Sequence, residues 1–364
     1  MRQARVFIDG SAGTTGLRIM QRLRTRPDIE LISLPDALRK DINARTQALN
    51  SCDVAILCLP DQAAREAANL TTNPHTIIID ASTAHRTAPG WVYGFPEIHG
   101  LREKISQATR IANPGCHASG FIALVAPLIE AGILAPSAAL TCFTITGYSG
   151  GGKKMIAQYE AYEAEAGNSP AEVRASLASD PLASAANASR VAGPIADTGN
   201  TTNQLLAAPR AYALTQHHKH IPEMMAVTGL TSAPTFTPIV GNFYAGLEVT
   251  IPLPGGLVEA SLADLRALYC DYYANEPLIT CQQLSEEGGF LSAGAYAGRD
   301  DMHIGVYGDD RPEAAHCPGQ PLTLVARFDN LGKGASGAAI QNLNCALGLP
   351  ETTGLHISSG ARGA

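Results

Sequence analysis

One cysteine of this chain stands where a thiolate nucleophile has to stand. Cys116 lies in IANPGCHASG, residues 111–120, between a short apolar segment and a long apolar run over 121–133. Asn113, Pro114 and Gly115 force the backbone to reverse, and the run behind them reads as a buried helix whose first turn opens near Cys116. Unpaired N–H groups and the positive end of the helix dipole would then face the sulfur. A free thiol with a pKa of about 8.5 is only a few per cent ionised at neutral pH, and a helix N-terminus with a cationic neighbour lowers that value by roughly one to several units. His117 stands directly beside it. The eight cysteines are otherwise scattered with no C-x-x-C pair, which fits neither a disulfide framework nor a zinc pattern. Reduced thiols are therefore expected.

A thiolate becomes an acyl-transfer site only with a base, an anion cradle and, for reduction, a hydride carrier. The base is sought in QHHKH, residues 216–220, where His218 and His220 share one face if the segment is extended. Imidazole has the pKa to take a proton from a thiol and return one to an oxyanion near neutrality. Three histidines in four residues also resemble metal ligands. No acidic or cysteine partner accompanies them at metal-binding spacing, so no metal is expected. The anion cradle is sought in DASTAHRT, residues 80–87, where Ser82, Thr83, His85 and Arg86 follow a strand. The Arg86 fork suits a carboxylate or phosphoryl group. Gly150, Gly151, Gly152, Lys153 and Lys154 read either as a phosphate-facing loop or as a connector. DNLGKGASG, residues 329–337, opens a helix with small residues, which serves a close ligand approach or a tight helix–sheet contact equally.

A hydride carrier has its own signature at the start of the chain. The strand ARVFID leads into Gly10, Ser11, Ala12, Gly13, Thr14, Thr15 and Gly16, a glycine turn opening onto a helix, which lets a backbone approach a diphosphate. The spacing is G-x-x-G-x-x-G rather than G-x-G-x-x-G. Near the end of the second strand stand Ser33, Asp36, Arg39 and Lys40. A carboxylate there receives a ribose diol, whereas a hydroxyl with cations suits a 2′-phosphate. Asp36 keeps both open, and the two cations favour NADP(H).

The elements that must position these residues are legible as well. Over residues 4–80 continuous apolar strands alternate with amphipathic helices, the pattern of a parallel sheet covered on both faces. Beyond Cys116 strands follow one another more directly: TCFTITG at 141–147, AYALTQHHKH at 211–220, a run over 243–253 and PLTLVARF at 321–328, with a helix over 261–273. The fold class is thus α/β, an N-terminal Rossmann-type parallel-sheet dinucleotide-binding domain plus an α+β mixed-sheet catalytic and dimerisation domain. The expected division is 1–116 with 330–364, and 117–329, with an inserted excursion at about 164–208 rich in Ala, Ser, Asn and Gly. At 364 residues two domains are the default, and 45% hydrophobic with 16% charged residues fits a globular enzyme. The net charge of −7 lacks long blocks of one sign, which argues against a nucleic-acid surface. MRQARVFIDG has no signal-peptide pattern and no segment is apolar for long enough to span a bilayer, so a cytoplasmic protein is expected.

Taken in order, VFIDGSAGTTGLRI, DASTAHRT, YGFPE, ANPGCHASG, GYSGGGKKM, QHHKHIPEM and DNLGKGASGAAIQNLN resemble the N-acetyl-γ-glutamyl-phosphate reductases, second and shorter type, of the aspartate-semialdehyde dehydrogenase superfamily. The resemblance makes Cys116 the nucleophile. It maps the family's H-K/R-H-x-P-E pattern onto His218, Lys219, His220, Pro222 and Glu223, with His218 the preferred base and His220 the runner-up. It implies NADPH-dependent reduction of N-acetyl-L-glutamyl 5-phosphate to the 5-semialdehyde through a Cys116 thioester, in arginine biosynthesis, by a homodimer or homotetramer. Cofactor contacts are then expected from Gly10, Ser11, Gly13, Thr14, Thr15, Gly16, Ser33, Arg39, Lys40, Ser82, Asn330 and Gly334. Substrate contacts are expected from Arg86, Asn113, His117, Gly150, Lys153 and Glu223. A His218 imidazolium would stabilise the thiolate, and the N–H of Cys116 or His117 would supply part of an oxyanion hole. The alternatives are a reductase of aspartyl phosphate or N-acetyl-aminoadipyl phosphate, or an inactive dinucleotide-binding regulator.

Overall fold

The computed structural model describes residues 2–165, 205–281 and 289–357. The expected excursion at 164–208 lies outside the described residues except at its two ends. The chain divides into two compact units, Met1–Gly115 with Gly334–His356, and Cys116–Lys333 with Ile357–Ala364. Among the described residues no helix is long and apolar enough to cross a membrane.

The first unit holds a six-stranded sheet in the order β2-β1-β3-β4-β6-β5, parallel throughout. Its strands are β1 (Ala4–Asp9), β2 (Ile29–Ile32), β3 (Val54–Leu57), β4 (Ile77–Asp80), β5 (Val92–Tyr93) and β6 (Arg110–Ala112). Side chains alternate across a strand, so a sheet covered on both faces needs apolar residues at every position. β3 meets this with VAIL, all four buried: Val54 and Ile56 join a core with Ile19 and Leu23 of helix α1 (Thr14–Leu23), while Ala55 and Leu57 join another with Ala48 and Leu49 of α2 (Ile42–Ser51) and Ala64 and Ala67 of α3 (Asp61–Leu70).

The late segment 337–346 returns to this unit as a buried helix, beyond α4 (Leu101–Gln107) in chain order. Its Ala339, Ile340 and Leu343 pack into the first of those cores. Its amide N–H groups find partners nearby, Asn342 donating to the Gly94 carbonyl at 2.9 Å and to Asn113 Oδ1 at 3.0 Å, Gln341 to Glu97 at 2.8 Å and Asn344 to the Glu351 carbonyl at 2.8 Å, while Asn342 Oδ1 has no partner among the described residues. A buried helix carrying three amide side chains survives because each finds a partner.

The second unit holds a seven-stranded mixed sheet ordered β11-β12-β13-β10-β7-β9-β8. The strands are β7 (Thr141–Gly147), β8 (Arg210–Ala211), β9 (Thr235–Gly241), β10 (Leu247–Leu253), β11 (Ile279–Cys281), β12 (Met302–Tyr307) and β13 (Leu322–Phe328). β7 pairs parallel with β9 and antiparallel with β10, which continues antiparallel to β13. Helix α5 (Cys116–Glu130) packs on β10 and β13 and is buried from His117 to Leu128. Between α5 and the last helix come α6 (Gly152–Glu165), α7 (Ile221–Thr228) and α8 (Leu262–Tyr272), so the helix over 337–346 is α9. Tyr273, just past α8, donates its hydroxyl to the Ala123 carbonyl of α5 at 2.8 Å.

Three strand expectations need correction. The strand expected over 211–220 ends at Ala211, because Ala213 (φ 52°) and Gln216 (φ 59°) adopt left-handed backbone and turn the chain. The run expected from Phe243 begins only at Leu247, after Gly246 at φ 122°, where a Cβ would lie 2.4 Å from the Ala293 carbonyl oxygen. The unforeseen β9 carries Pro238, a residue that argues against a strand in sequence.

α5 lies so close to the sheet that Gly120 is required: a Cβ there would stand 2.5 Å from Val249 Cγ2 and 2.9 Å from Phe328 Cε1. Gly120→Ala is expected to cost about 1–3 kcal/mol of stability by overpacking, measured as a lower denaturant midpoint at unchanged m-value.

Candidate active site

Cys116 is the first residue of α5, directly after the turn Asn113-Pro114-Gly115 that leaves β6. It is half-buried. Burial sets most of the other thiols apart: it pushes Cys52 up to about 11 and Cys58 up to about 12, and Cys142 and Cys281 further still. At Cys58 the carboxylates of Asp80 and Asp9 add to the effect. Such thiols are inert at neutral pH.

The histidine segment reaches Cys116 through a turn, not along a strand. His220 is the N-cap of α7 in helical backbone, with Pro222 following in the first turn, and α7 packs against α5. Cys116, His117 and His220 each offer one ligand atom, and these atoms lie within 4.8 Å of one another. Glu223, 1% exposed, holds Oε1 3.9 Å from His220 Nε2. His218 lies with its ring 4.7 Å from that of His220 and 5.6 Å from that of His117. His217 enters none of these ring contacts. The expected absence of a cysteine partner for the histidines holds only along the sequence, since folding supplies one.

His218 was the preferred base, yet its Nδ1 accepts the backbone N–H of His220 at 3.2 Å. An Nδ1 that accepts makes Nε2 the nitrogen with which His218 donates.

Two residues of the cluster were not singled out in sequence. Tyr212 places its hydroxyl 2.9 Å from His117 Nε2, and Phe236 of β9 sets its ring 5.5 Å from that of His117 and 5.0 Å from that of His218. Neither stands in a motif; Tyr212 is placed by the left-handed turn that follows it. His117 is pushed down to about 3, first by burial and then by the charges of His218 and Lys219. Tyr212 is pushed up, by burial and then by the charge of Cys116, and keeps its proton. His117 Nδ1 is buried without a hydrogen-bond partner among the described residues.

The dinucleotide candidates lie in the first unit. Gly10 has φ 86°, and a Cβ on it would meet the Cys58 carbonyl oxygen at 2.3 Å; one on Gly16 would meet the Gly10 carbonyl oxygen at 2.6 Å. These two glycines make the turn. Gly13 is the N-cap of α1, which has no side-chain cap and no acidic residue in its first turn, so the N–H groups following Gly13 through Thr14, Thr15 and Gly16 face no carboxylate of their own helix. Ser11 lies half-buried within the same turn. Ser33, Arg39 and Lys40 are exposed beyond β2, with Arg39 paired to Asp36 at 2.8 Å.

In the expected anion cradle the side chains already have partners of their own. Asp80, wholly buried at the end of β4, receives the Ser82 hydroxyl at 2.7 Å and the Ser82 N–H at 2.9 Å, and lies 2.6 Å from His85 Nδ1. His85 stacks on Trp91 at 3.9 Å, and Thr83 bonds to Asp61. Arg86 donates through Nε to the Asn113 carbonyl at 3.0 Å. The segment thus holds a carboxylate of its own, and Ser82 is turned to Asp80. Asn113, expected at substrate, is spent on Ala335 and Asn342. Asn330, expected at cofactor, is spent within the second unit on Ser149 at 3.0 Å and the Gly246 N–H at 2.9 Å. Gly334 lies in a one-turn π segment, Gly332–Ser336, leading into α9. Gly150 is exposed in the single helical turn Tyr148–Gly151, and Lys153 is exposed at the start of α6.

Comparison with known proteins gives the same architecture a class. Residues 35–108 match the family model for the semialdehyde dehydrogenase NAD binding domain, and residues 116–175 and 171–330 that for the semialdehyde dehydrogenase dimerisation domain. The fold is that of the crystal structure of aspartate semialdehyde dehydrogenase II from Vibrio cholerae, at TM-score 0.63 and 15% identity over 95% of this chain and 99% of that one. The chain is thus of the semialdehyde dehydrogenase class. It is 43% identical to N-acetyl-gamma-glutamyl-phosphate reductase 2 of Nostoc sp. over 98% of this chain and 100% of that protein, and 40% identical to the protein of the same name from Pseudomonas putida over 96% and 98%. It belongs to the N-acetyl-gamma-glutamyl-phosphate reductase family.

With a folded-state pKa near 3 against an ordinary value of 6.5, His117 is neutral throughout the physiological range. The unfolded chain binds its proton first on acidification, so the stability tied to this burial is full above about pH 6.5 and falls as pH drops toward 3. His117→Gln is expected to flatten the acid limb of the stability profile between those values, and the His117 ring resonances of the parent are expected not to move between pH 8 and 5 by NMR.

Proposed function

We propose that the chain reduces N-acetyl-L-glutamyl 5-phosphate with NADPH to N-acetyl-L-glutamate 5-semialdehyde and phosphate, the arginine-biosynthetic activity for which its relatives are named. The observation that carries the reading is the cluster of a half-buried helix-N-terminal thiol with two imidazoles inside 4.8 Å. The uncapped, acid-free start of α1 behind the Gly10–Gly16 turn fits a dinucleotide diphosphate. Gly10, Gly13 and Gly16 with the N–H groups of Thr14 and Thr15 hold it, and Ser33, Arg39 and Lys40 receive the 2′-phosphate. When bound, NADPH supplies a hydride.

The chain's own residues do the rest. His220 takes the proton of Cys116 through a ring nitrogen, and Glu223 steadies the resulting imidazolium. The sulfur attacks the acyl carbon, the C–O bond to phosphate breaks, and a thioester forms on Cys116. Helix N–H groups at the start of α5 stabilise the oxyanion of the attack. After reduction, the His220 imidazolium returns its proton as the carbon–sulfur bond breaks, freeing aldehyde and thiol. His218, with its proton on Nε2, serves as a hydrogen-bond donor. Arg86 and Lys153 are the remaining candidates for substrate anions. The second unit, matched to a dimerisation domain, forms a homodimer or homotetramer, and free cysteines among the described residues suit a cytoplasmic setting.

Phosphate-dependent reduction of NADP by N-acetylglutamate semialdehyde measures the reaction in reverse. Cys116→Ser is expected to fall to background, and His220→Asn to lose about 10²–10⁴-fold in turnover, with His218→Asn losing less. Substantial turnover by the serine variant removes the nucleophile, and a crippled His218→Asn beside a near-normal His220→Asn reverses the assignment of the base.

A further inference from the structure

The thiol–imidazole cluster has the composition of a metal site as well as that of a nucleophile with its base. Cys116, His117 and His220 supply one sulfur and two nitrogens within 4.8 Å of one another. Tetrahedral zinc with bonds of about 2.3 Å to sulfur and about 2.0–2.1 Å to nitrogen sets its ligands roughly 3.3–3.6 Å apart. The three atoms therefore need to close by little more than about 1 Å.

A second observation is independent of that spacing. His117 is 3% exposed and its Nδ1 has no hydrogen-bond partner among the described residues, while Nε2 is engaged by the Tyr212 hydroxyl at 2.9 Å. In the tautomer whose Nε2 donates to the Tyr212 oxygen, Nδ1 keeps a lone pair that accepts nothing among the described residues. A metal-bound imidazole has this arrangement, one nitrogen on the ion and the other donating to an oxygen that fixes tautomer and ring plane.

We propose that Cys116, His117 and His220 form a binding site for a thiophilic divalent cation of the zinc class, which occupies the thiol and blocks acyl transfer reversibly. The thiol releases its proton to solvent, its sulfur and one ring nitrogen of each histidine donate electron pairs to the ion, and water fills the fourth position. Three protein ligands with an open fourth place are the pattern of an exchangeable ion, whereas four protein ligands close a structural site. The site depends on these side chains alone and stands whatever the substrate is.

Cobalt(II) added to chelator-treated protein tests this without turnover. One equivalent per chain is expected to give the intense visible absorption of four-coordinate cobalt with a thiolate-to-metal charge-transfer band, both abolished by zinc. Cys116→Ser is expected to lose the charge-transfer band, and Tyr212→Phe, which removes the oxygen behind His117, to weaken cobalt binding about 10–100-fold. In the unaltered protein one equivalent of zinc is expected to slow iodoacetamide alkylation of Cys116 at least tenfold, with EDTA restoring the rate. A band that survives in Cys116→Ser places the ion on another thiol such as the exposed Cys270 or Cys317 and overturns the proposal. So does an alkylation rate indifferent to zinc, a measurement that depends on no variant folding.

Discussion

The contact on which the site depends is the burial of α5 against its sheet. From His117 to Leu128 the helix is buried, and at Gly120 it comes so near β10 and β13 that no side chain fits. A helix held this closely cannot rotate or slide, so its first residue has a fixed position and its first N–H groups a fixed direction. Cys116 gains its electrostatic setting from packing several residues away. Hydrophobic contact, which has no chemistry of its own, thereby fixes the geometry of a chemical group.

A second consequence of the same burial is the state of the histidines. His117 goes into the core with Cys116's helix, and desolvation leaves it neutral with Tyr212 on one nitrogen. His220 arrives at the opposite side of the cluster because two left-handed residues, Ala213 and Gln216, turn the chain before α7 begins. The amide N–H of His220 then donates to His218 Nδ1. Three neighbouring imidazoles meet three different surroundings: the core and Tyr212 at His117, a backbone amide at His218 and a buried carboxylate at His220.

In the first unit the sequence pattern translates almost directly into structure, since a parallel sheet covered on both faces leaves unbroken apolar runs that local reading detects. The polar segments translate less well. DASTAHRT looked like a ready anion cradle, but Ser82 and His85 converge on Asp80, a carboxylate six residues before Arg86 and part of the same motif. Asn113 and Asn330 have the residue type and position of ligand contacts and are hydrogen-bonded within their own units. A polar side chain in a motif advertises a need for hydrogen bonds without stating whose. The second unit was read less completely, because β9 holds a proline and β12 a glycine, Gly305, both residues that argue against a strand in sequence.

The sequence by itself determined the parallel sheet, the glycine turn at the start of α1, the reversal at Asn113-Pro114-Gly115 and the identity of the thiol behind it. These are local matters of hydrophobic period and backbone freedom, written in adjacent residues. Only the tertiary structure decided that His117 and His220 gather at Cys116, that Tyr212 stands beside His117, and that Ser82 bonds to Asp80. Those outcomes turn on distances between residues far apart in the chain, and a difference of an ångström in where a packed helix or a left-handed turn comes to rest changes which imidazole is the partner.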